Sequence, residues 1–309
     1  MTWGRMAARG AVVLAAVLAL AACAEGPASA NRSTPAPTAP SPAASSTAGK
    51  VAVQSDLVYE TVDGENLALD AYLPARPVAT PTPAIVVVHG GSFTSGDKAG
   101  LDAAPLAALL AQAGYAAFSI DYRLLPEHPF PDALEDLQAA VEWLRAPDQA
   151  TRFGIDPARI GAFGGSAGAI LVAEAGTAGE GPLDQGSRFK AVVELSGIMD
   201  LTPAGLTPDL EAADYRLGLA YLDCTDPDDC PASEAASPLA NVDPTDPPFY
   251  LAHSVDEELP EQSTVAFADA LTAAGVPVQL ELRPGAAHSV LMLDSAMSER
   301  ILAFFAQHL

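Results

Sequence analysis

From residue 84 to the C-terminus, short apolar runs typical of strands alternate with stretches of helical periodicity. Residues 84–88 form an uninterrupted apolar run rich in β-branched side chains, the kind of strand that a parallel sheet buries on both faces. Residues 132–145 instead repeat apolar side chains at helical spacing, with Glu135 and Glu142 on the polar side. Because strands and helices alternate, we predict an α/β fold, a mostly parallel sheet with helices on both faces.

The same patterns predict the remaining elements. Residues 58–61 and 67–72 are expected to pair as a hairpin around Asp63-Gly64, a dipeptide typical of two-residue turns. Residues 201–248, rich in Pro and Asp, interrupt the alternation and are interpreted as an insertion beside the functional site, with the role of a lid left open. The other predicted strands are 115–120, 160–163, 191–195, 249–252 and 278–282, and the other predicted helices are 103–113, a helix from 167, 263–274 and 296–308.

The N-terminal residues have the features of an export signal. Arg5 and Arg9 precede an apolar run at residues 11–22, which is shorter than the about 20 residues that a membrane-spanning helix needs. Leu20-Ala21-Ala22-Cys23 resembles the bacterial lipobox, in which the leader is removed before the cysteine and the cysteine is acylated. We therefore expect a leader at 1–22 and a lipid on Cys23 that anchors the protein to the outer face of the bacterial membrane. A secretory leader cut after another small residue is the alternative.

Residues 24–50, which follow Cys23, are composed almost wholly of Ala, Pro, Ser, Thr and Gly. Such a segment cannot bury enough apolar surface to order itself, so a flexible tether is predicted, followed by one folded domain at 51–309. The net charge of −24 argues against nucleic acid as a partner, because phosphate binding needs a basic patch.

Cys224 and Cys230 are the two cysteines left once Cys23 carries the lipid. An oxidising compartment would let them close a disulfide around residues 225–229. Two free thiols are the alternative, whereas zinc is not favoured because there is no CxxC pair and no nearby His. We expect neither a metal nor an organic cofactor.

The strongest chemical signal is Gly164-Gly165-Ser166-Ala167-Gly168, between the predicted strand 160–163 and an apolar helix. A nucleophilic serine at such a turn has a strained backbone, and the residues two before and two after it must be very small. The strand-turn-helix context therefore favours Ser166 as a nucleophile over a merely tight turn.

A serine nucleophile needs a general base, and three histidines follow Ser166. His288 lies in the loop after the last predicted strand, where a base can reach a serine at the carboxyl edge of the sheet. His253 closes a predicted strand, where packing or a hydrogen bond is expected, and His308 is expected on the surface of the terminal helix.

Four motifs in this order resemble the hormone-sensitive-lipase-like esterases of the α/β-hydrolase fold, and more closely the branch that includes bifunctional acetylxylan and feruloyl esterases. The motifs are residues 89–91 (HGG), 121–131 (DYRLLPEHPFP), 164–168 (GGSAG) and 285–288 (GAAH). The HGG turn by itself is also compatible with a Gly-rich turn before a helix. The resemblance implies that residues 121–131 are a structural brace and carry no catalytic group.

The resemblance also implies the order serine, acid, histidine, with the acid in the loop after strand 249–252. Asp256 is our choice, because counting back from Pro260 it matches the D-x-x-V-P arrangement of related esterases and its side chain is short. Glu257 is held in reserve, since this loop is one residue shorter than the family pattern.

By motif position, the oxyanion donors are the backbone N–H groups of Gly91, Ser92 and Ala167, with Ser92 in place of the family's third glycine. The predicted chemistry is hydrolysis of a carboxylic ester, with a short acyl chain, through an acyl-enzyme on Ser166. Amidase, arylformamidase-like and peptidase chemistry are alternatives, because a triad does not distinguish an ester from an amide. An inactive surface binding protein is the alternative from a different class.

Overall fold

The computed structural model describes residues 50–207, 210 and 212–309. The predicted leader, Cys23 and the predicted tether up to residue 49 lie outside the described residues. Within the part that is described, no helix is both long and apolar enough to cross a membrane.

Eight strands form one sheet in the order β1-β2-β4-β3-β5-β6-β7-β8. The strands are β1 (Ala52–Val62), β2 (Glu65–Leu73), β3 (Thr82–Val88), β4 (Ala116–Ile120), β5 (Ile155–Gly165), β6 (Val192–Leu195), β7 (Phe249–Ser254) and β8 (Val278–Arg283). The pairs β1–β2 and β2–β4 are antiparallel, and every other neighbouring pair is parallel. The prediction of a mostly parallel sheet is therefore confirmed.

Helices cover both faces of this sheet. They are α1 (Ala104–Gln112), α2 (Asp132–Arg145), α3 (Pro147–Phe153), α4 (Ala167–Thr177), α5 (Ala212–Tyr221), α6 (Gln262–Ala274) and α7 (Ser295–His308). Successive side chains of a strand point to opposite faces, so Ile85 and Val87 pack with α1 and α7, whereas Val86 and Val88 lie in the core formed with α2, α3, α4 and α6. All side chains of β3 are buried, as its apolar run predicts.

Two α-helices among the described residues were not expected from periodicity. The first, α3, is only seven residues long, which is too short to show a helical repeat of apolar residues. Its sequence marks only its two ends, with a proline in the first turn and left-handed Gly154 (φ 65°) after the last. The second, α5, lies inside residues 201–248, and it is this helix that brings the insertion to the functional site.

Candidate active site

The candidate residues lie in loops that follow β3, β5, β7 and β8. Because the carboxyl ends of parallel strands meet at one edge of the sheet, these loops lie close together. The sequence motifs, which are far apart along the chain, therefore converge at this edge.

Ser166 occupies the sharp turn between β5 and α4, with φ 58° and ψ −124°. This is a strained conformation for a residue with a side chain, and the packing around the turn enforces it. A β-carbon at position 164 would lie 2.1 Å from the carbonyl oxygen of Gly168, and one at position 168 would lie 2.2 Å from that of Val88. The predicted need for glycine two residues before and two after Ser166 thus has a direct steric cause.

The turn after β3 also holds residues in unusual backbone conformations. Gly91 (φ 117°) is followed by Ser92 and Phe93, which have φ values of 57° and 58°. The Gly91 carbonyl accepts hydrogen bonds from the N–H groups of Thr94 and Ser95, both at 3.1 Å. Ser92 lines the same cavity as Ser166, and so does Ala167, while Gly91 forms the turn just before Ser92.

His288 and Glu257 are in direct contact at this edge. Nδ1 of His288 lies 2.6 Å from Oε2 of Glu257, whose side chain is only 1% exposed, whereas the His288 side chain is 39% exposed. Burial alone would raise the pKa of Glu257, but hydrogen bonds from His253 and His288 outweigh it and lower the pKa to about 2. Glu257 is therefore ionised at neutral pH and holds His288 by a charge-assisted hydrogen bond.

The expectation that Asp256 holds His288 is wrong in this structure. The N–H of Asp256 donates to the Gly285 carbonyl (3.0 Å), and its exposed carboxylate accepts from the Gly285 N–H (3.1 Å). Glu257, the reserve candidate, instead turns back, and its Oε1 accepts from the N–H of Ser254 (3.2 Å). Counting back from Pro260 took no account of the pairing of β7 with β8, which extends to the Asp256 N–H.

A cavity of about 310 Å³ opens beside Ser166 and His288. Its walls are mostly apolar. The lining residues are Ser92, Phe93, Ser166, Ala167, Ile170, Ile198, Leu201, Asp214, Leu217, Gly218, Tyr221, Glu257, Glu258, Leu259, Ala286 and His288.

Residues 201–248 form part of this wall through α5. Tyr221, at the end of α5, stacks on Phe93 with ring centroids 3.9 Å apart and donates a hydrogen bond to Glu174 at 2.8 Å. Just beyond α5, Cys224 and Cys230 are joined in a disulfide with a Cα–Cα distance of 5.5 Å, as expected. The insertion therefore borders the cavity, and the contacts of Tyr221 with Phe93 and Glu174 fix the end of α5.

The other two downstream histidines lie where the sequence indicated. His253 is fully buried at the end of β7, with its ring nitrogens 3.1 Å from Thr264 Oγ1 and 2.9 Å from the Leu259 carbonyl oxygen. His308 ends α7, with its ring centroid 4.7 Å from that of Phe304.

Known proteins share this architecture. A truncated carbohydrate esterase from gut microbiota superposes with a TM-score of 0.72 at 24% identity, covering 85% of this chain and 98% of that one. Esterase 2 of Thermogutta terrifontis, phosphonylated by sarin, has a TM-score of 0.66 at 27% identity, covering 83% of this chain and 92% of that one. The same esterase is known with butyrate bound. These likenesses and the sheet define an α/β-hydrolase fold.

The sequence comparisons then give the family. Residues 69–271 match the BD-FAE family model, and the chain belongs to that family. Esterase LipC of Mycobacterium tuberculosis is 32% identical over 238 residues, which cover 74% of this chain and 58% of LipC. Esterase LipI of the same organism is 30% identical over 242 residues, covering 70% of this chain and 71% of LipI. The match thus spans little more than half the length of LipC.

Proposed function

We propose that this protein is a carboxylesterase that cleaves short-chain esters through an acyl-enzyme on Ser166. The observation that carries the proposal is the strained turn of Ser166 in the wall of a cavity that also contains His288 paired with Glu257. A serine hydroxyl needs a base, and the base needs a carboxylate that fixes its tautomer. Membership of a family with esterase relatives supports the same reaction.

The proposed triad is Ser166, His288 and Glu257. Because Nδ1 of His288 faces Glu257, its Nε2 is the nitrogen available to take the proton of the Ser166 hydroxyl. The Ser166 oxygen then attacks the ester carbonyl, and the same His288 proton passes to the leaving alcohol. Water activated by His288 hydrolyses the acyl-enzyme in the second half of the reaction.

Backbone N–H groups of Gly91, Ser92 and Ala167 are proposed to stabilise the tetrahedral oxyanion. Ser92 and Ala167 both line the cavity. Ser92 lies in the turn after β3, and Ala167 is the first residue of α4. Donors fixed in a folded turn need no reorganisation when charge develops on the substrate oxygen, which is the basis of their effect on rate.

The proposed acyl group is short. A cavity of about 310 Å³ lies at the small end of the usual range for ligand sites, which is about 300–1,000 Å³. Its apolar walls suit an uncharged acyl chain. Esterase 2 of Thermogutta terrifontis, which is known with butyrate bound, supports this size by analogy.

A fluorophosphonate probe tests the nucleophile directly. We expect labelling of the wild type and none of Ser166→Ala, with p-nitrophenyl butyrate hydrolysis lost in parallel. Ser254→Ala is a matched control, because Ser254 lies in the same edge but its hydroxyl only donates to the Ala287 carbonyl. Absence of labelling in the wild type, or equal labelling of Ser166→Ala, would refute a serine esterase and favour a binding role.

A substrate panel then separates ester from amide chemistry. p-Nitrophenyl acetate, butyrate and octanoate would be compared with acetylated xylan, a feruloyl ester and N-formylkynurenine. We expect the acetate and butyrate to give the highest kcat/KM. A preference for N-formylkynurenine would replace the ester proposal by an amide one, and a preference for octanoate would refute the short acyl chain.

We also propose that Cys23 is acylated and anchors the domain to the outer face of the bacterial cytoplasmic membrane. The support is the sequence Leu20-Ala21-Ala22-Cys23 after an apolar run. Mass spectrometry of the mature N-terminus should find a diacylglyceryl cysteine at position 23. An unmodified terminus at another residue would exclude the anchor.

A further inference from the structure

A second histidine, which the proposed mechanism does not use, contacts the same carboxylate as His288. Nε2 of His253 lies 2.8 Å from Oε1 of Glu257, while His288 contacts Oε2 at 2.6 Å. The His253 side chain is 0% exposed and that of Glu257 is 1% exposed. The Glu257 carboxylate is therefore held between two imidazole rings, one buried and one at the cavity.

The contacts of His253 determine where its protons lie. Nε2 faces two acceptors, the Glu257 carboxylate and the Leu259 carbonyl oxygen at 2.9 Å, so it carries a proton. Nδ1 lies 3.1 Å from Thr264 Oγ1, and that hydroxyl lies 3.3 Å from the Gly197 carbonyl oxygen. When the hydroxyl donates to this carbonyl, its oxygen can only accept from Nδ1, and both ring nitrogens are then protonated.

The charges around His253 favour this doubly protonated ring. Burial alone would lower the pKa of His253, but the hydrogen bonds to Glu257 and to the Leu259 carbonyl, together with the charge of Glu257, outweigh it and raise the pKa. Glu194 is buried on β6, and its Oε2 accepts from the Gly197 N–H at 3.0 Å. The titratable groups that face this ring are therefore Glu257 directly, Glu194 from the neighbouring strand and His288 across the carboxylate.

We propose that His253 is a positioning residue, a buried imidazolium that fixes the Glu257 carboxylate with Oε2 towards His288 and offsets part of its charge. The proposal rests on the esterase mechanism above. A glutamate has more freely rotating bonds than an aspartate, so it loses more entropy when one orientation is fixed, and the short buried contact to His253 supplies that restraint. The Ser254 N–H also donates to Oε1 of Glu257, but at the longer distance of 3.2 Å.

The charge of His253 has a kinetic consequence whose sign can be worked out. A positive ring beside Glu257 weakens the attraction between this carboxylate and a protonated His288, and it also favours the ionised form of Glu257. Without the positive ring, His288 and Glu257 each keep a proton up to a higher pH. The acidic limb of the kcat/KM profile should therefore move to higher pH when the charge is removed.

The test compares His253→Gln, which keeps an amide donor without charge, with His253→Leu, which has neither. His308→Gln is the matched control, because His308 lies at the end of α7, away from the cavity. Steady-state kinetics with p-nitrophenyl butyrate from pH 5 to 9 would be normalised to the fraction of sites that react with a fluorophosphonate. We expect KM to change little, kcat to fall about tenfold in His253→Gln and about a hundredfold in His253→Leu, and the acidic limb of His253→Gln to move to higher pH.

The outcomes separate this proposal from the esterase proposal. If the wild type neither reacts with the probe nor cleaves the ester, the esterase mechanism fails and the role of His253 falls with it. If the wild type is active but His253→Gln keeps an unchanged acidic limb and kcat per reactive site, only the positioning role is refuted. A measurement on the wild type covers the case in which both variants fail to fold. Imidazole ¹⁵N NMR at pH 7 should show both nitrogens of His253 protonated, and a neutral ring would overturn the proposal.

Discussion

Replacing Glu257 by Gln tests whether this residue, and not its neighbour Asp256, supports His288. The substitution keeps the size of the side chain and removes its charge. Asp256→Asn is the matched control, because the adjacent carboxylate is exposed and the asparagine oxygen can still accept from the Gly285 N–H. The two variants thus remove one negative charge each, one residue apart.

The expected loss follows from the geometry of the pair. With Nδ1 and Oε2 2.6 Å apart, the charge centres of an ionised Glu257 and a protonated His288 are about 4 Å apart. At an effective dielectric constant of about 20 this attraction is about 4 kcal/mol, or roughly three powers of ten in rate. The His288 side chain is 39% exposed, and screening by water lowers this figure. We therefore expect kcat of Glu257→Gln to fall about 10²- to 10³-fold.

The assay is hydrolysis of p-nitrophenyl butyrate at pH 7, with the reactive sites counted by a fluorophosphonate probe. Counting is necessary because Glu257→Gln leaves the buried His253 without its charged partner, at a cost in folding free energy of about 3 kcal/mol. Asp256→Asn should stay within about twofold of the wild type. If Asp256→Asn loses as much activity per site as Glu257→Gln, or if Glu257→Gln stays within about threefold of the wild type, the assignment of the acid from geometry is refuted.

Three further predictions concern stability. Gly164→Ala should lower the free energy of unfolding by about 1–3 kcal/mol in urea titrations, because the added methyl group meets a backbone carbonyl at 2.1 Å, and an unchanged midpoint would contradict this. Replacing Cys224 and Cys230 by Ser should cost about 2 kcal/mol, the loop entropy of a disulfide that links residues six apart, and reductant should have the same effect on the wild type but none on the variant. Burial raises the pKa of Glu194 to about 8, so the stability from its neutral form is fully present below about pH 4.3 and is lost as the pH rises through 8. The unfolding free energy of the wild type should therefore fall relative to Glu194→Gln between these pH values, and parallel pH curves for the two proteins would argue against a buried neutral carboxyl.

Elements whose local sequence pattern determines their bounds could be predicted from the sequence alone. The helix at residues 132–145 has the bounds of α2, because its apolar side chains are spaced for one face and that face is the one buried. Helix α5 could not be predicted in this way, because Gly218 in its interior disfavours a helix by about 1 kcal/mol relative to Ala. A β-carbon at position 218 would lie 2.7 Å from a methyl carbon of Leu206, so the Leu206 side chain from an earlier part of the insertion packs closely against this glycine. Tertiary contact, which no local pattern contains, sets that part of the cavity wall.

The choice of the triad acid between Asp256 and Glu257 also depends on tertiary contacts that no local pattern contains. Both Asp256 and Glu257 satisfy the chemical requirement, and the spacing from Pro260 that favoured Asp256 contains no information on how β7 pairs with β8. The pairing of β7 with β8 decides between them, because it continues past Ser254 through hydrogen bonds from the N–H of Val255 to Arg283 and from that of Asp256 to Gly285. This continuation keeps Asp256 on the outer edge of the ladder, so the chain turns inward only at the next residue. The longer glutamate side chain then spans the distance to His288, and the strand register, which depends on two distant segments, selects the carboxylate.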